Sequence, residues 1–147
     1  MARPVNKQYA MHFGFGKEYD EEIKHLTQDG KHHGHDYLTP KGTEIYNPTT
    51  GIYYQQGYDK YAGYFIITKF WRREKLEMKT YRFLAFHLSR SFMGRKKIGD
   101  KINQDEVIAL SGDSGCAKGH PHFHGEIQKL EKNKWIPIDP SIIFGKE

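Results

Sequence analysis

The sequence predicts a mainly β fold, an antiparallel sandwich or barrel-like sheet with short helical turns. Most of the chain consists of short runs of β-branched and aromatic residues, separated by turns rich in Gly, Pro, Asn and Asp. A length of 147 residues suits one domain with a modest core. No repeat or low-complexity linker divides the chain, so we expect a single domain over 1–147, with residues 1–10 as an N-terminal arm.

The first half of the chain gives one weak helix signal and then β signals. In DEEIKHL (residues 20–26), Asp20 can cap one or two turns, and acidic residues occupy the first turn. TEIYNPTTGIYYQ (43–55) places β-formers on both sides of a Pro/Gly turn. Two long β-rich runs follow at 62–71 and 79–89, and the polar segment between them predicts a hairpin tip.

The second half of the chain predicts shorter strands. KIGDKINQDEVIALSG (97–112) contains short β segments separated by Gly-Asp and Asn-Gln-Asp turns. HFHGEIQKL (122–130) and KWIPIDP (134–140) are expected to form a hairpin around EKNK (131–134).

Composition narrows the classes of protein without choosing one. The net charge of +5 favours anionic partners such as nucleic acid, acidic polymers or cell-wall material. No apolar run approaches the roughly 20 residues that span a bilayer, so we expect no membrane span. The N-terminal sequence lacks the apolar segment of a secretory signal. A single cysteine, Cys116, excludes an internal disulfide framework.

Histidines recur at every second position in the segment GHPHFHGE (119–126). They are His120, His122 and His124. Alternate side chains of an extended strand share one face, so neighbouring members of this set can serve one centre.

A second histidine cluster, HHGHDY, offers the remaining ligands of a metal site. His32 and Asp36 are four residues apart and share a face on a strand or a helix, and Gly34 between them argues against a helix. The helical zincin motif H-E-x-x-H is absent. With His124, these residues would supply two nitrogens and one carboxylate oxygen, a known catalytic zinc set with an open fourth position.

A metal hydrolase also needs a base and a donor to the developing oxyanion. His122, two residues before His124, suits the base. His87, in the otherwise apolar segment FLAFHLS (83–89), suits the donor, and a buried structural histidine is its alternative.

These motifs, in this order, resemble the lysostaphin-type (LytM-like) zinc endopeptidases of peptidoglycan. The family's H-x-x-x-D ligand motif corresponds to HHGHDYLTPKGTEIY (32–46), and its H-L-S segment with the following Gly-rich run corresponds to 83–115. Its closing G-P-H-L-H-F-E-I resembles GHPHFHGEI (119–127), and its opening S-G-F-G resembles HFGFG (12–16). The resemblance extends from about residue 11 to 140.

The resemblance implies a zinc-dependent endopeptidase that cuts a cross-bridge or stem peptide of peptidoglycan. It implies that His32, Asp36 and His124 bind Zn²⁺. It also implies that His122 is the general base and that His87 helps to stabilise the oxyanion. All five positions hold the required residue type.

Two departures from the family pattern lie in the closing motif. Gly125 stands where the family has Phe, and His120 is an extra residue before Pro121. A second register therefore stays open, with His120 as base and His122 as ligand. We prefer the first register, because Pro121 and Glu126 then both match the family pattern.

Two further groups of side chains are expected near the site. On an extended segment His33 and His35 project away from the face of the ligands, so we predict both at its rim. The Tyr-dense segment 46–65 is expected to contribute rings to a peptide groove, with ordinary cross-strand packing as the alternative.

We expect a monomer whose partner is a peptidoglycan peptide, with no nucleic acid. Because no export segment is seen, a phage lysis enzyme or a virion-associated enzyme acting on the wall is the expected context. The alternatives are a non-catalytic wall-binding or activator domain of the same fold, a nucleic-acid-binding β-domain, and a sugar- or small-molecule-binding metal sandwich. The complete five-residue set favours the enzyme.

Overall fold

The structure, a computed structural model, describes residues 3–147, and this part of the chain contains ten strands in two antiparallel sheets. The strands are β1 (Met11–Phe13), β2 (His35–Tyr37), β3 (Glu44–Tyr46), β4 (Gly51–Asp59), β5 (Gly63–Glu74), β6 (Glu77–Leu88), β7 (Lys101–Ile102), β8 (Val107–Leu110), β9 (Phe123–Glu131) and β10 (Lys134–Ile138). The large sheet has the order β1-β2-β9-β6-β5-β4-β7, with β10 beside β9, and β3 pairs with β8. The predicted antiparallel β fold is confirmed.

Both predicted hairpins are present. β5 and β6 pair along their length and meet at a tip where Lys75 has a φ of 55°. β9 and β10 join through Lys132 and Asn133, whose φ values are 46° and 65°. Two successive residues with positive φ are typical of the type I′ turn, whose twist matches that of the flanking strands.

The helical segments are short. The predicted turns at 20–26 are a 3₁₀ helix, Glu21–Leu26, and Asp20 makes no side-chain capping hydrogen bond. A second 3₁₀ turn covers Gly115–Ala117. A single α-helical turn, α1 (Ser141–Phe144), was not predicted, because four residues are too few to show a helical period.

The core lies between one face of the large sheet and the small β3–β8 sheet. Burying each large apolar side chain stabilises the fold by about 1.5–3 kcal/mol. The fully or almost fully buried members include Tyr37, Tyr53, Ile66, Phe70, Phe83, Phe123 and Ile127 from the large sheet, with Ile45 and Ile108 from the small one. The other face of β5, β6 and β9 is left open, and the candidate site lies there.

The start of the described chain is anchored to this domain. Val5 is fully buried, and Nη2 of Arg3 lies 2.8 Å from Oε1 of Glu147. Of the predicted N-terminal arm, residues 1 and 2 lie outside the described residues. Within 3–147, no helix has the length and apolar character needed to cross a membrane.

Candidate metal centre and catalytic groove

The pairing of β2 with β9 brings the first two candidate ligands together. In this antiparallel register Asp36 lies directly opposite His124. His32 approaches the same point because Gly34 lets the chain pass close to β9. A Cβ atom at Gly34 would lie 2.5 Å from the carbonyl oxygen of Gly125. Oδ1 of Asp36 is 2.9 Å from Nδ1 of His124 and 3.2 Å from Nε2 of His32, and the two nitrogens are 3.1 Å apart.

These three donor atoms suit a tetrahedral metal ion. Zn²⁺ binds His nitrogen and carboxylate oxygen at about 2.0–2.2 Å, so two neighbouring ligand atoms lie roughly 3.3–3.5 Å apart. The observed separations, 2.9 to 3.2 Å, are only slightly shorter than this spacing. Two imidazoles and one carboxylate also match the ligands of catalytic zinc sites. His32, Asp36 and His124 can therefore hold a divalent metal ion.

The electrostatics of the centre favour a bound cation. Burial alone would raise the pKa of Asp36, but hydrogen bonds from His124 and His32 outweigh it and hold this pKa far below its usual range. Burial alone would lower the pKa of His124, but the carboxylates of Asp36 and Glu126 raise it to about 10. The centre thus stabilises a positive charge between two carboxylates, which is what a metal ion supplies.

Each candidate histidine ligand is oriented through its other ring nitrogen. Nδ1 of His32 donates to the carbonyl of Gly14 at 3.2 Å, and Nε2 of His124 donates to Oε1 of Glu126 at 3.0 Å. Gln128 donates in turn to Glu126. Such outer contacts fix the tautomer and ring angle of metal ligands. No role for Glu126 was predicted from the sequence, although the period of two from His124 places both side chains on one face.

A β-bulge turns His87 into the groove. Phe65 on β5 faces two residues of β6, Phe86 and His87. Phe86 faces the groove and stacks on the ring of His124 at 5.0 Å, so strict alternation would send His87 to the core. His87 instead has a φ of 61°, a strained left-handed conformation for a residue with a side chain. As a result, both consecutive residues line the groove.

Hydrogen bonding defines what His87 can do. Its Nδ1 lies 2.9 Å from the carbonyl oxygen of Ser114, which can only accept, so Nδ1 carries the proton. Burial, assisted by the neighbouring His124 and His122, lowers the pKa of His87 to about 4. The neutral ring therefore has a lone pair on Nε2. The donor role predicted for His87 requires a protonated ring.

His122 lies just before β9, beside the centre. Its ring is 4.8 Å from that of His87, and its Nε2 is 3.8 Å from Oδ2 of Asp36. Nδ1 donates to the carbonyl of His120 at 2.8 Å, which leaves the lone pair of the neutral ring on Nε2. His120 is exposed. The structure thus brings His124, rather than His122, into hydrogen-bond contact with Asp36, as in the preferred register.

The two histidines predicted at the rim differ. His33 lines the groove, with Nε2 3.0 Å from Oδ1 of Asp29. For His35 the prediction is wrong, because its side chain is buried. Its Nδ1 accepts a hydrogen bond from the Phe15 amide, and its ring packs edge-on against Phe144. The side chain extends from β2 into packed structure, on the opposite side from Asp36.

The glycine that departs from the family pattern has a packing reason. A Cβ atom on Gly125 would lie 2.9 Å from the ring of Phe123 and 3.5 Å from that of Phe144. Phe144 belongs to α1, far along the chain. The rings of Phe123, two residues earlier on β9, and of Phe144 therefore fill the space that a side chain at 125 would need.

A groove of about 530 Å³ runs along the open face of the large sheet. His124, Glu126, Phe86, Leu84, Arg82, Ile67 and Phe65 line it from the strands, and Tyr19, His33, Tyr61, Ala62 and Cys116 are among the loop residues that border it. Of the predicted Tyr-rich segment, Tyr61 lines the groove whereas Tyr53 is buried.

Tyr19 is a groove residue that was not predicted from the sequence. Its ring packs edge-on against His32 with centroids 5.7 Å apart. Burial, followed by the charge of Asp36, raises its pKa, so the phenol stays protonated and can donate. It lies outside the histidine motifs, and nothing in its local sequence signals the contact.

A family model described as peptidase family M23 matches residues 30–140. Among curated proteins, the peptidoglycan DD-endopeptidase ShyA of Vibrio cholerae is 30% identical over 96 residues, which cover 65% of this chain and 20% of ShyA. The chain therefore spans about a fifth of the length of this relative.

Solved structures share the fold. A zinc-containing peptidase from Vibrio cholerae has a TM-score of 0.72 and 24% identity, over 99% of this chain and 39% of that one. The catalytic domain of lysostaphin from Staphylococcus simulans has a TM-score of 0.70 and 20% identity, over 95% of this chain and 94% of the domain. At these identities the likeness establishes the fold alone.

Proposed function

Because the chain belongs to peptidase family M23, we propose that it is a zinc-dependent endopeptidase that hydrolyses peptide bonds of bacterial peptidoglycan. One observation carries the proposal: the β2–β9 register places Asp36 opposite His124, with His32 near enough to share a metal ion. The name of ShyA, a peptidoglycan DD-endopeptidase, supports the substrate, and the zinc-containing Vibrio peptidase supports the metal.

We assign the metal to His32, Asp36 and His124, the three described residues whose donor atoms converge. When bound, zinc supplies a Lewis acid for the scissile carbonyl and lowers the pKa of its water to about 7. Glu126 positions His124 by accepting the hydrogen bond from Nε2. Gly14 positions His32 in the same way through its carbonyl.

His122 is assigned as the general base. Its neutral ring carries the lone pair on Nε2, 3.8 Å from Oδ2 of Asp36, so this nitrogen can accept the proton of an attacking water. The same nitrogen then returns the proton to the leaving amine. The hydrogen bond from Nδ1 to the His120 carbonyl keeps the ring in this orientation throughout.

His87 is assigned as the donor to the oxyanion. The bulge in β6 and the hydrogen bond from its Nδ1 to the carbonyl of Ser114 hold its ring in the groove. Its ring lies 4.8 Å from that of His122, so both imidazoles can border the same reacting group. Once Nε2 of His87 is protonated, it donates a hydrogen bond to the oxyanion. In the neutral ring, Nε2 is a hydrogen-bond acceptor instead. Its strained backbone holds Nε2 toward the groove in both states.

The groove supports an unbranched peptide as substrate, either a cross-bridge or a stem peptide of the wall. We further propose that the protein acts as a monomer on the outer side of the cytoplasmic membrane. Its release by phage lysis, or its delivery with a virion, is part of the same proposal.

Digestion of purified peptidoglycan from several species tests the proposed function. Fragments from zinc-loaded and chelator-treated protein would be identified by mass spectrometry. We expect new amino termini at one type of peptide bond with the zinc-loaded protein and none after chelation. Binding to the wall without new termini would instead indicate the non-catalytic alternative.

A further inference from the structure

The groove extends well beyond the metal centre along β6 and β9. On its floor Phe86 faces His124, then Leu84 faces Glu126. Arg82, opposite Gln128, comes next. Alternate strand residues share a face, and four positions at about 3.3 Å each separate Phe86 from Arg82. A cationic side chain therefore lines the groove roughly 13 Å along the strand from the metal centre.

Arg82 is held in place by neutral partners. Its Nε donates to Oε1 of Gln128 at 2.7 Å, and its guanidinium carbon lies 4.4 Å from the ring centre of Trp135. The side chain is partly buried between them. These contacts fix the plane of the guanidinium without pairing it to a carboxylate, because an amide and an indole carry no charge. The carboxylate of Glu126 acts on this cation only through space.

The acidic groups that line the groove are engaged elsewhere. Glu126 accepts from His124 and from Gln128. Asp59, on the opposite border, accepts the backbone amides of Tyr61 and Ala62. The cation of Arg82 is therefore available to a group that enters the groove.

We propose that Arg82 binds a carboxylate of the substrate peptide about four residues from the bond that is cut. An extended peptide advances about 3.3 Å per residue, so four residues cover the distance between the centre and Arg82. A fixed, planar guanidinium binds a carboxylate through two parallel hydrogen bonds. This inference rests on the proposed function and narrows its substrate to anionic wall peptides.

Chemical neutralisation of the substrate provides the test. Peptidoglycan freed of phosphate polymers would be used in two forms, native and with its carboxylates converted to carboxamides by carbodiimide and ammonia. Initial rates of new amino termini would be measured for zinc-loaded wild type, Arg82→Gln, Arg82→Lys and Arg73→Gln. Arg73 is exposed near the far tip of β5, so its substitution removes the same charge outside the groove.

We expect the wild type and Arg73→Gln to cleave native material about tenfold faster than amidated material, the effect of one charged hydrogen-bonded pair. Arg82→Gln should cleave both forms at similar rates, and Arg82→Lys should keep part of the preference. Equal preference in wild type and Arg82→Gln would overturn the inference. A wild type that cleaves native and amidated material at equal rates would also overturn it.

A binding measurement separates this role from a structural one. In a His122→Ala background, calorimetry with soluble wall peptides should show weaker binding of the amidated form only when Arg82 is present. If native and amidated material are cleaved at equal rates, the proposed function is still supported and only this inference fails. Failure of every protein to release amino termini would remove the proposed function, and this inference with it.

Discussion

Asp36 and His124 lie directly opposite each other on antiparallel strands, and Oδ1 of Asp36 is 2.9 Å from Nδ1 of His124. The two residues are 88 positions apart in the chain. A strand register is specified over its whole length by which side chains reach the core. The pairing of β2 with β9 therefore determines the relative position of Asp36 and His124, and His32 joins them from the segment that precedes β2.

Replacing His122 separates catalysis from metal binding. We expect His122→Ala to lower the rate of peptide-bond cleavage by about 10²- to 10⁴-fold, the usual contribution of a general base, while zinc content stays unchanged. His120→Ala is the matched control, because His120 contacts His122 through its backbone carbonyl, which the substitution keeps, and its side chain is exposed. Zinc analysis and initial rates would check both. A large loss in His120→Ala with an active His122→Ala would favour the other register.

Replacing Glu126 tests whether its hydrogen bond to His124 strengthens metal binding. Glu126→Gln removes the charge that faces Nε2 of His124. Substitution of a residue that hydrogen-bonds to a metal ligand weakens metal affinity roughly 10- to 100-fold. Competition with a chromophoric chelator would measure the change. Glu131→Gln, the same substitution at the end of the same strand, should bind zinc like the wild type. Equal affinities in the two variants would contradict the role of Glu126.

Gly34 is expected to tolerate no side chain. A Cβ atom there would lie 2.5 Å from the Gly125 carbonyl and 2.9 Å from the ring of His124, so backbone or ligand must move. We expect Gly34→Ala to lower the free energy of unfolding by about 1–3 kcal/mol and to weaken zinc binding. A Cβ atom at Gly14 would meet the flexible end of Met11 at 3.4 Å and the ring of His35 at 3.8 Å, an ordinary contact, so Gly14→Ala should change stability by less than about 1 kcal/mol. Urea unfolding of both variants would check this.

Zinc binding should compete with a proton on His124. The carboxylates of Asp36 and Glu126 raise the pKa of this ring to about 10, so it is protonated at neutral pH without metal. Zinc must displace that proton, and its apparent affinity should therefore rise with pH, by up to about tenfold per pH unit between 6.5 and 8.5. Calorimetry in buffers of different ionisation enthalpy would also detect the released proton. A zinc affinity that does not change with pH would contradict the claim that His124 is protonated in the metal-free protein.

The fold, and the convergence of His32, Asp36 and His124, were largely predictable because their signals are periodic. β-formers between Gly- and Pro-rich turns predict the hairpins. The spacing of His32 from Asp36 predicts a shared face, and in the structure His32 reaches Asp36 from the irregular segment before β2. The family resemblance added which distant histidine completes the set. Local periodicity alone could not do so, since the pairing of β2 with β9 depends on the core as a whole.

The features that escaped prediction depend on contacts between distant segments or on breaks in the period. His87 was predicted at the site, but the bulge that turns it there was not: its positive φ directs it into the groove, whereas strict alternation sends it to the core. His35 is buried by Phe144, a residue more than a hundred positions away. Arg82 gains its fixed orientation from Trp135 on a strand that is not its direct neighbour. None of these relationships leaves a signal in the local sequence.

Crystallography of the zinc-loaded protein, with diffraction recorded on both sides of the zinc absorption edge, tests the central claim most directly. We predict one anomalous peak at about 2.0–2.2 Å from Nε2 of His32, a carboxylate oxygen of Asp36 and Nδ1 of His124. A zinc ion bound elsewhere, or coordinated without Asp36, would contradict the assignment of this centre.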